Sequence, residues 1–174
     1  MGLSVRDISL NLLRWLFGAV FLFSGLTKAV DPVGTSVFVE KYLATYGLDA
    51  LMEFALPIAV ALATVELTLG IAVIVNAFHR LTLRISLLFV ALFTLITLLS
   101  ATVLPIGDCG CFGDAVKLSP WATFWKNIGL LVVVVVLLRC DHRGYTTSLT
   151  QIGLCLVGLL FALGINLYAL RHQP

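Results

Sequence analysis

The chain has 174 residues, of which 60% are hydrophobic and 11% charged, and its mean hydropathy is +1.09, whereas a soluble domain carries roughly a quarter charged residues. That balance excludes an ordinary soluble domain and leaves an all-α, polytopic membrane protein. The formal net charge of +2 without a dense basic run excludes a nucleic-acid surface, and the length holds one membrane domain with no separate soluble one.

The first apolar run, Ile8 to Thr27, is long enough to cross a hydrocarbon core of about 30 Å and carries one charge, Arg14. Arg6 ahead of it resembles the opening of a cleavable signal, but such signals have a short, uncharged apolar core, so Arg14 argues for a retained helix. The run ends at Lys28 and Asp31-Pro32. From Pro32 to Glu53 the chain is more polar, with Val37, Phe38, Tyr42 and Tyr46 at near-helical spacing beside Glu40 and Lys41. This predicts a short helix over about residues 35–46, lying along the membrane surface or packed on the bundle as a linker.

A second span runs from Phe54 to Asn76 with Glu66 near its middle, followed by a basic turn from Ala77 to Arg84. The third span, Ile85 to Leu104, is uncharged and stops at Pro105. A cysteine loop then covers Pro105 to Pro120, and Trp121 and Trp125 open a fourth span that runs to Arg139. Those indoles read first as an interfacial aromatic belt and second as a quinone contact. After a polar turn, Cys140 to Ser148, a fifth span covers Leu149 to Leu170.

The reactive stretch is Asp108-Cys109-Gly110-Cys111-Phe112-Gly113-Asp114. Two thiols one residue apart can close only if the backbone bends sharply, since a disulfide needs Cα atoms roughly 4.4 to 6.8 Å apart. Gly110 permits the bend. A ring that small is strained, and strained, exposed disulfides are the exchangeable ones; a static crosslink or a pair of idle thiols is the alternative. Gly113 and Asp114 serve the turn. Asp108 and Asp114 are hard oxygen donors mismatched to thiolates, so no metal site is expected. Cys140 and Cys155 fall in other parts of the bundle and read as small buried hydrophobes.

Arg6, Arg80, Arg84, Arg139 and Arg143 fall on one side of a five-span chain, while Asp31, Glu40, Asp49, Glu53, Asp108 and Asp114 fall on the other. The positive-inside rule therefore puts the cysteine loop outside, in a compartment where disulfides persist; for a bacterial protein this is the periplasm, reached from the inner membrane. Within the membrane, Glu66 is the costliest residue to bury and must be paired or functional. Arg14 is its expected partner: counted from the inner helix ends at about 1.5 Å per residue, the two lie about 9 and 15 Å deep. The pair would fix the first helix to the second, with a proton relay as the alternative. Lys28, placed at the level of the cysteine loop, would favour a thiolate or snorkel to headgroups. Asn127 is polar where lipid would be, so it is expected to face the bundle and bond the loop backbone.

Cys109-Gly110-Cys111-Phe112-Gly113, followed by Trp121 and Lys126-Asn127, resembles the cysteine loop and fourth helix of the MauE family, methylamine utilisation membrane proteins. Phe21-Leu22-Phe23-Ser24-Gly25-Leu26-Thr27-Lys28 leading to Asp31-Pro32, and Glu66-Leu67-Thr68-Leu69-Gly70, resemble segments of the related DoxX superfamily. The resemblance covers residues 8 to 139 or so. It implies a four-helix bundle core, to which the fifth helix is an addition, and a role in delivering or maintaining disulfides in exported proteins beside a thioredoxin-like partner. Cys109 and Cys111 would be the exchanging pair. Lys126 departs from the pattern, where an arginine is expected.

Two functions follow as expectations. One is a membrane thiol-disulfide relay or oxidoreductase, exchanging electrons between the exterior loop and a periplasmic thioredoxin-like or other exported thiol protein, with quinone as a candidate acceptor. The other is a non-catalytic assembly factor whose disulfide staples a docking loop.

Overall fold

The computed structural model describes residues 4–103, 119–141 and 146–172. They form six α-helices: α1 (Val5–Val30), α2 (Pro32–Thr45), α3 (Ala55–Val75), α4 (His79–Thr102), α5 (Pro120–Cys140) and α6 (Leu149–His172), with a 3-10 segment over Asp49–Phe54 leading into α3. No strand occurs among the described residues. Five of these helices, α1 and α3 to α6, are long and apolar enough to cross a membrane. Helices suit that setting because each satisfies its own backbone hydrogen bonds where no water can.

Local chemistry sets the helix ends. Pro32 opens α2, and the Asp31 carboxylate caps it by accepting from Gly34 N at 2.8 Å; a proline at the first helical position costs no bond there. A methyl on Gly34 would run into that carboxylate, so the Asp-Pro-Val-Gly run works as one cap. Pro120 opens α5 in the same way behind Ser119, whose hydroxyl accepts from Ala122 N at 3.2 Å. The expected turn from Ala77 to Arg84 is shorter than its sequence suggested. Asn76 and Phe78 both take left-handed backbone, φ 62 and 45, which reverses the chain at once and lets α4 begin at His79.

The closest helix contact is between α1 and α3. A methyl on Gly25 would lie 2.7 Å from Leu67 N, and one on Gly70 2.9 Å from Leu22 N. Small residues thus let the two backbones nearly touch, as in other membrane helix pairs. Around this contact, Phe17, Phe21, Leu69, Val73, Leu83, Val90, Val134 and Leu137 form a buried core, with Phe17 stacked on Phe21 at 4.7 Å between ring centroids. Helix α6 is part of the bundle: Ala162 is buried with Ala29, Ala63 and Leu67. The outer surface carries Leu12, Leu88, Leu95, Leu160 and Phe161, all exposed; such a large apolar surface marks a lipid-facing wall in a chain of this kind.

One end of the bundle gathers the basic residues. Arg6 Nη2 donates to Cys140 O at 3.0 Å, joining the start of α1 to the end of α5. Gln151 Nε2 donates to Val75 O at 2.8 Å, and Phe78 N to Thr147 Oγ1 at 2.9 Å, joining the start of α6 to the α3–α4 turn. Arg6, Arg80, Arg84 and Arg139 therefore share one end. The last residues of α4 and the first of α5 belong to the other.

Candidate functional site

The cysteine pair Cys109 and Cys111, with Gly110, Phe112 and Gly113, lies outside the described residues. Its flanks are described: Val103 closes α4 and Ser119 caps α5, so the segment that carries the thiols joins two helix ends opposite the arginine-rich face.

Within the bundle, the expected ion pair has a different cation. Lys28 Nζ lies 2.9 Å from Glu66 Oε2, and the side chains are 4% and 7% exposed. Lys28 Nζ also donates to Ser24 Oγ at 2.8 Å and approaches Ser24 O at 3.4 Å. This corrects the Arg14–Glu66 pairing, and helix register explains the correction. Gly25 packs against Ala63 and Leu67, and Gly18 against Gly70 and Ile74, so the C-terminal end of α1 is level with the middle of α3. Arg14, one turn before Gly18, falls near the C-terminal end of α3, about 18 Å along the axis from Glu66 at 1.5 Å per residue. Depth counted from the inner helix ends takes those ends as level, whereas the glycine contacts shift the two helices past one another.

Lys28 is consequently not an interfacial residue. It shares a cavity wall with Phe89 and Phe93, well short of the end of α4 at Thr102, and it is 3% exposed. Its ammonium serves Glu66 and Ser24. Ser24, which sequence reasoning passed over, is 8% exposed; the spacing Ser24–Lys28, one helical turn on the same face, was the available signal.

Two cavities meet at this pair. On the Glu66 side a small one, about 40 Å³, is lined by Ser24, Glu66, Lys126 and Asn127 with Phe21, Phe89 and Phe93. Its walls are mostly apolar but carry these four polar side chains, and it is wide enough for a water. Asn127 is 4% exposed and its Nδ2 has no hydrogen-bond partner among the described residues, so it points at the bundle interior, within reach of this cavity. On the Lys28 side a larger cleft, about 470 Å³, runs between α2 and α4 over the floor of α3, lined by Phe38, Tyr42, Tyr46, Leu62, Phe93 and Leu99 among others. Helix α2 thus packs on the bundle through the face bearing Thr35, Phe38 and Tyr42, with Glu40 and Lys41 turned out, and the hydroxyl of Tyr46, just past its end, reaches Ser100 Oγ and Ile96 O, each at 3.4 Å.

Trp121 and Trp125 lie elsewhere. They are 50% and 66% exposed, pack edge-on against Phe124 and line neither cavity. Among the described residues no cluster of three or more potential metal ligands occurs. Cys140 is exposed at the basic end and Cys155 is partly buried within α6.

Comparison with known proteins agrees with this architecture. Residues 6–140 match the family model of the methylamine utilisation protein MauE, a stretch that takes in α1 to α5 and leaves α6 outside. The chain is similar to Protein TlpB of Flavobacterium psychrophilum, 31% identical over 133 residues, which is 72% of this chain and 35% of the relative. The chain therefore spans about a third of the length of that relative. No solved structure matches it. With the family model covering most of its length and five membrane-spanning helices in its fold, this chain belongs to the MauE family of multi-pass membrane proteins.

Proposed function

We propose that this protein is a thiol-disulfide relay of the bacterial inner membrane, with Cys109 and Cys111 exchanging electrons with exported thiol proteins on the periplasmic face. The observation that carries the reading is the Cys109-Gly110-Cys111 run itself, borne on the segment between α4 and α5, whose helix ends lie opposite Arg6, Arg80, Arg84 and Arg139. A basic end faces the cytoplasm by the positive-inside rule. That leaves the thiols in an oxidising compartment, where a small, strained disulfide is exchangeable.

In the exchange, a thiolate of the partner attacks one sulfur of the Cys109–Cys111 disulfide and releases the other as a thiolate, forming a mixed disulfide. The partner's second thiol then attacks that mixed bond, leaving the partner oxidised and both cysteines reduced. The reverse sequence reduces the partner. A partner with a reactive dithiol of the thioredoxin type fits this chemistry.

The test is trapping in cells. With Cys111→Ser or Cys109→Ser, the remaining thiol has no intramolecular resolver, and alkylation of whole cells should capture a mixed disulfide with a soluble exported protein on a non-reducing gel. If neither variant captures a partner and both support the oxidation state of exported thiol proteins at the wild-type level, the relay reading fails and a loop-stapling role takes its place.

A further inference from the structure

The Lys28–Glu66 pair leaves acceptor capacity on the carboxylate. Oε2 takes the ammonium at 2.9 Å, whereas an ionised carboxylate accepts at both oxygens, through about four lone-pair directions. Glu66 lines the small cavity of about 40 Å³ from α3, and Asn127 lines it from α5. Asn127 is 4% exposed, and its Nδ2 is buried without a hydrogen-bond partner among the described residues. Leaving a buried amide donor unpaired is costly, and nearly all such groups in native proteins find an acceptor, in the protein or in ordered water. A donor on α5 and an acceptor on α3 therefore border one space.

These two groups select the occupant. The cavity is far below the size of small-molecule sites, about 300–1,000 Å³, which leaves a water or a single ion. A cation would meet the Asn127 amide and the neighbouring Lys126, and an anion would meet Glu66. Water donates to the carboxylate and accepts from the amide at once, and the volume exceeds the roughly 10–15 Å³ that one water needs. We infer that this cavity is a water site, in which an ordered water accepts from Asn127 Nδ2 and donates to Glu66. The water extends the ion pair between α1 and α3 onto α5, the helix whose N-terminal end adjoins the segment that carries the thiols. This inference does not depend on the relay reading: it holds whether or not Cys109 and Cys111 exchange electrons.

Radiolytic hydroxyl footprinting of the full chain in nanodiscs tests it, because radicals formed from a buried water mark the side chains around that water. Phe21 is 5% exposed and lines the small cavity, while Phe17, stacked on it, is 0% exposed and lines neither cavity. Phe21 should be hydroxylated at least tenfold faster than Phe17. Asn127→Leu, which replaces the donor by an apolar side chain, should lower the Phe21 rate at least tenfold, and Asn127→Ser, which keeps a donor and enlarges the space, should retain it. Phe21 as slow as Phe17 in the wild type means that the cavity is dry or holds an ion, and overturns the inference. A Phe21 rate unchanged by Asn127→Leu means that Asn127 does not hold the water, and overturns it as well. If Asn127→Leu fails to fold, the wild-type ratio of Phe21 to Phe17 decides alone. The Cys109→Ser/Cys111→Ser double variant should give the wild-type footprint, so a failure of the relay and a failure of the water site are read separately.

Discussion

Lys28 and Glu66 meet 2.9 Å apart inside the bundle, nearly out of contact with solvent, and they lie between a small cavity and a large apolar cleft. Glu66 touches the first and Lys28 the second. The pair therefore does more than clip α1 to α3: its ammonium-bearing residue lines the cleft while its carboxylate-bearing residue lines the small cavity.

Breaking this pair should cost more than deleting it. Removing one member of a buried pair leaves an uncompensated charge, at about 3–5 kcal/mol, whereas an apolar replacement of both is often neutral. Lys28→Met and Glu66→Leu should each lower the unfolding temperature in detergent sharply, and the Lys28→Met/Glu66→Leu double variant should recover most of the loss. Additive losses in the double variant would mean that the two side chains are not coupled.

The α1–α3 contact predicts a contrast between two glycines. A methyl at Gly25 meets backbone, Leu67 N at 2.7 Å and Ala63 O at 3.0 Å, while one at Gly129 meets nothing within 4 Å. Gly25→Ala should destabilise by about 1–3 kcal/mol through overpacking, and Gly129→Ala should be neutral or stabilise by up to about 1 kcal/mol as a better helix former. Thermal unfolding of the two variants side by side checks this. Equal behaviour would mean that α1 and α3 do not approach as closely as their glycines imply.

The five apolar spans were legible because twenty-residue apolar runs have few alternatives, and the structure has five helices long and apolar enough to cross a membrane. Two things were not legible. The register between α1 and α3 depends on Gly18, Gly25 and Gly70 fitting particular residues opposite them, which hydropathy does not encode, so Glu66 was matched to Arg14 instead of Lys28. The α3–α4 reversal rests on left-handed backbone at Asn76 and Phe78; asparagine signals this weakly and phenylalanine not at all. The cleft was hidden for a related reason, since its walls are ordinary helix faces of α2 and α4 that become a cavity only when α3 holds them apart.

Helix α6 lies beyond the part of the chain that matches the family model, yet one of its residues bonds directly to α3. Gln151 accepts from Ser148 N at 2.8 Å through Oε1 while its Nε2 donates to Val75 O at 2.8 Å, so one side chain both caps α6 and satisfies a terminal carbonyl of α3. Gln151→Ala should cost about 1–2 kcal/mol. Gln151→Glu keeps the cap acceptor but loses the donor to Val75, so it should fall between wild type and Gln151→Ala. If both variants unfold like wild type, α6 is an independent attachment.

Sided labelling tests the orientation on which the relay depends. Cys140 is exposed at the end of α5, tied by its carbonyl to Arg6, and so marks the arginine-rich face. Cys109 and Cys111 lie on the segment joining the opposite helix ends. In intact cells whose outer membrane has been permeabilised, a membrane-impermeant maleimide should modify reduced Cys109 and Cys111 while sparing Cys140, and inverted inner-membrane vesicles should reverse the pattern. Single-cysteine variants read by gel shift keep the sites apart, with Cys155, partly buried in α6, expected to resist the reagent from either side. Modification of Cys140 and the Cys109–Cys111 pair from the same side would contradict the five-span topology. The reversed pattern, with Cys140 labelled in cells, would keep that topology but turn the thiols toward the reducing cytoplasm, where a strained disulfide would not persist and the proposed exchange with exported proteins has no substrate.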